Sequence, residues 1–327
     1  MSKEIVFHIG YPKTATSTLQ TFFTKLGEMG KINYFGKDYN VKPKKRLNHH
    51  FRNLILGENI YNPKHENKEF ISSKKNLISD EWYTCSSLKY ALETKQNLQA
   101  QYFPLRFKNL FSKNIDLKIL VTIRNQIEII YSYFVQIYFR YKNYLKYETF
   151  SDFLKSEINK DYNGELNQFY YFDILSQYAD CFGWANIYIL FFEDIKHDIN
   201  DYAEEITKIL GLTKKDKKNL LSHFNDVNKK KREKTKSGKL RRKTRKNLLG
   251  ETMVDIYRKY EISPLQKLKP IAKYFYRKIG RKKREKNIRK PNSKERKMIF
   301  DEFKNNNIRL ADKFNLNKAK MKKYNYI

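Results

Sequence analysis

His8-Ile9-Gly10-Tyr11-Pro12-Lys13-Thr14-Ala15-Thr16-Ser17-Thr18-Leu19-Gln20 joins two patterns of different period. Before it, Ile5 to Ile9 reads as a short buried strand, closed by Gly10 and Pro12. After it, Leu19, Phe22, Phe23 and Leu26 recur at helical spacing on one face, and the helix is expected to end near Gly27 or Gly30. Backbone N–H groups in such a strand-to-helix turn, together with the positive end of the helix, converge on one spot and stabilise an anion there. Lys13 adds a full charge, and the hydroxyls of Thr14, Thr16, Ser17 and Thr18 add donors. Helix capping alone accounts for a Ser or Thr here, but not for strand, Gly, Pro, Lys and helix in that order.

The same alternation continues outward. Asn76 to Ser79 is a second strand, leading into Asp80-Glu81-Trp82. Lys118 to Ile123 is a third, ending at Arg124, and helical spacing resumes through Ile127, Ile130, Tyr131, Phe134 and Tyr138. Ile187 to Phe192 is a fourth, ending at Glu193-Asp194, with Tyr202, Ile206, Ile209 and Leu210 marking the helix after it. Short apolar strands alternating with amphipathic helices predict an α/β domain with a central parallel sheet and helices on both faces.

Near residue 225 the composition shifts. Lys229 to Lys246 holds twelve basic residues and one acidic, and Lys273 to Lys290 holds ten and one. Between them, Ile262 to Ile279 is more apolar, with Leu265, Leu268, Ile271, Phe275 and Ile279 near helical spacing and Pro270 interrupting. After Pro291, Ser293 is the expected cap of a last helix carrying Ile299, Phe303, Leu310 and Phe314. The expected organisation is therefore an α/β domain over 1–224, a basic excursion over 225–292 that is mostly helical or disordered, and a helix over 293–327 that returns to the domain.

The bulk composition narrows the function classes. With 40% hydrophobic and 15% aromatic residues the chain is not a disordered polymer. Its formal net charge of +33 favours anionic partners and carries no information about fold. Only Cys85 and Cys181 are present, far apart, so neither a disulfide framework nor a zinc site is implied; that usage suits a reducing cytoplasm. The first ten residues run into a strand pattern without the apolar core of a secretion signal, and no apolar run approaches the ~20 residues of a membrane span.

The loop departs from the nucleotide-triphosphate pattern G-x-x-x-x-G-K-[ST]. Counted from Gly10, the last three places of that pattern hold Ala15, Thr16 and Ser17, so the lysine sits earlier, within the loop. The third strand also ends in Arg124, where a magnesium-binding strand would offer Asp. A metal-dependent kinase remains the second reading on these grounds. A non-enzymatic polyanion or nucleic-acid binder is the third, supported by charge alone and lacking a recognised nucleic-acid motif.

Residues 8–20 closely resemble the 5′-phosphosulfate-binding loop of sulfotransferases that use the donor PAPS (3′-phosphoadenosine 5′-phosphosulfate). Lys118-Ile-Leu-Val-Thr-Ile-Arg124-Asn125, with Ser132-Tyr133 following at the family's spacing, resembles their 3′-phosphate motif. Less specific likenesses are Thr149 to Leu154, Phe182 to Asp194, and the last helix with Asn306, Leu310, Ala311 and Phe314. Two departures stand out. Ala15 occupies a place usually held by Gly, where a methyl is crowded if the residue needs positive φ and tolerated if it is helical. Gln126 stands where Pro is frequent.

The resemblance implies a P-loop-like three-layer fold and sulfuryl transfer from PAPS, without a metal, to a hydroxyl or amine of a glycan acceptor. It implies that Lys13, Thr14, Ala15, Thr16, Ser17 and Thr18 surround the 5′-phosphosulfate, and that Lys13 stabilises the oxygen on which charge grows. Arg124 and Ser132 would hold the 3′-phosphate. Ile78-Ser79-Asp80-Glu81 resembles a strand-end pattern of bacterial members and makes Glu81 the candidate general base, with Asp80 the neighbour it can be confused with. His8 matches a family position too, but within an apolar strand it reads as a core residue. The basic stretch 229–290 suits an anionic membrane surface, which would put a cytoplasmic enzyme at the inner membrane face.

Overall fold

The computed structural model describes residues 3–36, 73–84, 103–110, 115–141, 147–158, 160, 164–235 and 288–327. The chain divides into two compact units, residues 1–231 with 290–327, and residues 232–289. Cys85 and the apolar segment 262–279 lie outside the described residues, as does most of the basic stretch 229–290.

The first unit is built on five parallel strands: β1 (Lys3–His8), β2 (Asn33–Gly36), β3 (Asn76–Ser79), β4 (Ile115–Ile123) and β5 (Ile187–Phe191), in the order β2-β3-β1-β4-β5. Four of these are the strands expected from sequence. The fifth, β2, is a four-residue edge strand, Asn-Tyr-Phe-Gly, partly exposed throughout, with no alternation in the sequence to mark it.

Helices cover both faces, completing the three layers. On one face lie α1 (Thr16–Glu28) and, later in the chain, α7 (Ile199–Leu210) and α8 (Lys214–Thr235). Leu19, Phe22, Phe23 and Leu26 of α1 meet Tyr202, Ile206, Ile209 and Leu210 of α7 over Val6, Leu77, Leu120 and Leu190 of the sheet. Helix α1 ends where expected: Gly30 takes φ 69, and Lys31 N donates to Leu26 O at 3.0 Å, closing the last turn.

The remaining helices are α2 (Phe103–Leu110), α3 (Gln126–Tyr141), α4 (Phe150–Ile158), α5 (Tyr171–Phe182), the short α6 (Asp194–His197), α9 (Ser293–Lys313) and α10 (Lys318–Lys323). Helix α5 packs on β4 and β5, and α9 packs on α5, α3 and α4, burying Ile299, Phe303 and Leu310. Phe314 falls just past its end rather than within it. The N-cap of α9 is Asn292, not Ser293. The Asn292 side chain accepts from Glu295 N at 2.9 Å, and Glu295 Oε2 accepts from Asn292 N at 2.8 Å, a reciprocal pair that Ser293 is one residue too late to make. No helix among the described residues is long and apolar enough to cross a membrane.

Because every strand runs the same way, the turns that follow β1, β3, β4 and β5 emerge along one edge of the sheet. The chain fills β2 and β3 on one side of β1 before crossing to β4 and β5 on the other, so this edge also contains the point where strand order reverses.

Candidate donor and catalytic site

The loop leaving β1 makes its turn with two non-glycine residues in the left-handed region, Lys13 at φ 72 and Ala15 at φ 63. Ala15 is the N-cap of α1, so it lies outside the helix, and its methyl is carried at a conformation that favours glycine. Gly10 is required for a different reason. A Cβ there would stand 2.6 Å from Thr16 Cγ2 and 2.9 Å from His8 Nε2, so no side chain fits where the loop passes over the strand end. Tyr11 is buried edge-on against Tyr171, ring centres 4.8 Å apart.

The loop hydroxyls differ in what they do. Thr14 is buried and its hydroxyl donates to Tyr11 O at 2.6 Å, tying the turn to itself. Thr16 is also buried, and its hydroxyl donates to Glu81 Oε2 at 2.9 Å. Ser17 is exposed and Thr18 half-buried at the head of α1; Thr18 N donates to Ala15 O at 2.9 Å, while the N–H groups of Thr16 and Ser17 precede the first helical acceptor. The loop therefore offers backbone donors and the Lys13 charge to an anion, while two of its four hydroxyls hold structure.

The Thr16 bond brings Glu81 to the loop after β1. Glu81 opens a single tight turn, Glu81–Tyr83, directly after β3. Asp80 N donates to His8 O at 3.1 Å, continuing the β1–β3 pairing, and buried Thr84 sits 3.4 Å from both Gly10 O and Glu81 O. Tyr178 of α5 donates its hydroxyl to Tyr83 O at 2.7 Å and fixes the turn from below. His8 is a core residue, as expected. Its Nδ1 bonds Ser79 Oγ at 2.8 Å, its ring packs edge-on against Phe23, and burial pushes its pKa down to about 4, so it is neutral at physiological pH.

Arg124 reaches the same loop from β4. His8 pairs with Leu120, and β4 continues three residues further, so Arg124 rises beyond the end of β1 at about 3.3 Å per residue. From there Arg124 Nη1 donates to Lys13 O at 3.0 Å. The guanidinium lies over the Phe192 ring at 4.6 Å and pairs with Glu128 at 3.6 Å, and the side chain is 15% exposed. It is thus part of the site's framework as well as an exposed-pair partner. Ser132 is half-buried on α3, one helical turn beyond Glu128 and two beyond Asn125, which places it on the face of the helix next to Arg124.

Comparison with known families matches residues 3–259 to the sulfotransferase domain. The chain belongs to the sulfotransferase domain family. Curated protein sequences give no match. Similar solved structures include a sulfotransferase from Alicyclobacillus acidocaldarius, at 16% identity and TM-score 0.42 over 65% of this chain and 83% of that one. Another is mouse sulfotransferase SULT7A1 complexed with PAP, at 16% identity and TM-score 0.38 over 68% of this chain and 63% of that one.

Several residues that shape this candidate site carry no signal in the sequence. The Tyr171 hydroxyl donates to Arg124 O at 2.6 Å, fixing the peptide from which the guanidinium projects. Arg296, at the start of α9, shares Glu128 with Arg124 at 3.5 Å. Gln126, the residue found where Pro is frequent, exchanges amide hydrogen bonds with buried Asn307 of α9, at 2.9 and 3.1 Å. These contacts join segments separated by 47, 168 and 181 positions, and only the folded chain brings them together.

Proposed function

We propose that this sulfotransferase takes its sulfuryl group from PAPS and transfers it to a hydroxyl of a carbohydrate acceptor, with Lys13 and Glu81 as the catalytic groups. The observation that carries the reading is the Arg124 to Lys13 O hydrogen bond of 3.0 Å, which brings together the two segments read here as phosphate-binding. A nucleotide with phosphates at both its 5′ and 3′ positions matches two such centres. In the proposed arrangement the N–H groups at the head of α1 and the Lys13 ammonium hold the 5′-phosphosulfate, and Arg124 with Ser132 holds the 3′-phosphate.

Bound donor supplies a sulfur centre whose bond to the bridging phosphate oxygen breaks as the acceptor oxygen bonds to sulfur. Lys13 and the loop N–H groups neutralise the charge that collects on the departing phosphate oxygen. Glu81 accepts the acceptor's hydroxyl proton. The hydrogen bond from Thr16, which holds its carboxylate beside the loop after β1, supports that assignment, since a general base must lie close to the reacting groups. The ground for a carbohydrate acceptor is that the bacterial-looking motifs resemble those of glycan sulfotransferases more than those of enzymes acting on small phenols. The basic stretch 229–290 is proposed to hold the enzyme at the inner face of a membrane.

Calorimetric titration with 3′,5′-ADP in the absence of metal, beside ATP with magnesium, tests the donor. The wild type is expected to bind 3′,5′-ADP without metal, and Arg124→Ala to bind it about 10 to 100 times more weakly, the loss of charge-assisted hydrogen bonds to a phosphate. Preference for magnesium-ATP, or equal 3′,5′-ADP affinity in the two proteins, would overturn the reading in favour of a kinase-like or non-specific polyanion site.

A further inference from the structure

Residues 324–326 lie across the ends of β4 and β5, beside the peptide that carries Arg124. The Asn125 side-chain amide donates to Tyr324 O at 2.9 Å and also to Asn325 O. Its backbone N–H donates to Glu193 Oε1 at 3.0 Å, and the other oxygen of that carboxylate accepts from the Tyr326 hydroxyl at 3.0 Å. The Tyr324 hydroxyl donates to Asp194 Oδ1 at 2.7 Å. Asn307 of α9 donates to Tyr326 O at 2.9 Å, so the segment is itself held from behind. Asn325 makes the bend at φ 59, and the Tyr326 ring packs against Phe191 with centres 5.4 Å apart. Asn125 and Tyr326 are almost wholly buried, at 5% and 1% exposure.

We propose that residues 324–326 are a positioning element of the donor site, clamping the Arg124–Asn125 peptide and the Phe192–Glu193 peptide so that the guanidinium stays over the phosphate loop. Two lines of contact run from the segment to Arg124. One passes through the Asn125 side chain to the neighbouring peptide. The other passes through Tyr326 and Glu193 to Phe192, whose ring is the surface on which the guanidinium rests at 4.6 Å. Asn125 bonds Glu193 directly, which closes the two lines into a loop of contacts. Without the segment, Asn125 loses both carbonyl acceptors and the half-buried Glu193 carboxylate loses its tyrosine donor. Burial already raises the pKa of that carboxyl, so a lost donor makes its charged form still less favourable.

The inference rests on reading Arg124 as the ligand of the 3′-phosphate, and the test separates the two. Affinities for 3′,5′-ADP and for 5′-AMP are measured on wild type, Arg124→Ala, Tyr326→Phe, Asn125→Ala and a chain ending at residue 323. Only 3′,5′-ADP has the phosphate that Arg124 would grip, so a misplaced Arg124 lowers the preference for it over 5′-AMP. General loosening of the fold weakens both ligands together. The expected result is a preference reduced roughly tenfold in the shortened chain and in Asn125→Ala, and severalfold in Tyr326→Phe, with 5′-AMP affinity held. If Arg124→Ala loses the preference while all three clamp variants keep it, the clamp is wrong and the donor reading stands. If Arg124→Ala keeps the wild-type preference, the donor reading falls and the clamp with it. Should the shortened chain not fold, Asn125→Ala and Tyr326→Phe, the latter removing one hydroxyl, decide.

Discussion

Ala15 sits at φ 63 and ψ 17 as the residue that opens α1, a conformation in which Cβ approaches the following carbonyl oxygen and costs an L-residue roughly 1–2 kcal/mol. Glycine escapes that cost, but a glycine also has more freedom to lose from the unfolded chain, about 0.4–1 kcal/mol relative to alanine. The difference favours Ala15→Gly by about 1 kcal/mol, which in a domain of this size raises Tm by about 2–4 °C. Thermal unfolding followed by circular dichroism measures it. An unchanged or lowered Tm would mean that the Ala15 methyl, which packs against the apolar cluster beneath α1, contributes more than the backbone loses. Lys13 also has positive φ, so strain is retained at the residue proposed to carry the charge.

Helix α3 begins at Gln126, where proline would suit the backbone because the first helical N–H has no partner within the helix. Here the amide side chain is engaged instead with Asn307, 3% and 1% exposed respectively, and reaches Phe169 O at 3.3 Å. Gln126→Pro is therefore expected to lower stability by about 1–3 kcal/mol, since it leaves the Asn307 amide buried without its reciprocal partner. Urea unfolding of the variant measures this, and a gain in stability would show that backbone pre-organisation outweighs the lost pair. The position also shows where sequence reading stops. Strands β1, β3, β4 and β5 are legible because largely apolar runs of four to six residues end at Gly10, Asp80, Arg124 and Glu193, each a break in pattern. The loop and Arg124 are legible for the same reason, since they stand at those breaks. By contrast, β2 has no pattern of its own and is defined by its pairing to β3. The Thr16–Glu81 bond, the Gln126–Asn307 pair and the 324–326 segment are long-range contacts between polar residues, to which neither periodicity nor capping rules apply.

At the scale of the whole molecule, the parallel sheet delivers the loop, Glu81 and Arg124 to one edge, while the excess charge is concentrated elsewhere in the sequence. Lys229 to Lys246 and Lys273 to Lys290 carry twelve and ten basic residues against one acidic each, out of a net +33. Lysine or arginine near an anionic lipid surface contributes about 1 kcal/mol each, so engagement of even a fraction of these residues suffices for measurable attachment. That attraction decays over about 8 Å at physiological ionic strength and weakens further as salt is added. The full chain is accordingly expected to co-sediment with vesicles containing anionic lipid at low salt, to be released by raised salt, and to ignore zwitterionic vesicles. Removal of residues 229–290 should abolish the sedimentation while leaving metal-free 3′,5′-ADP binding in place, because the proposed donor-site residues all lie outside that stretch. Equal partitioning of the full and shortened chains would sink the membrane reading. Salt-sensitive sedimentation of the full chain with soluble sulfated or phosphorylated polymer, but not with vesicles, would assign the same charge to a polyanionic acceptor instead.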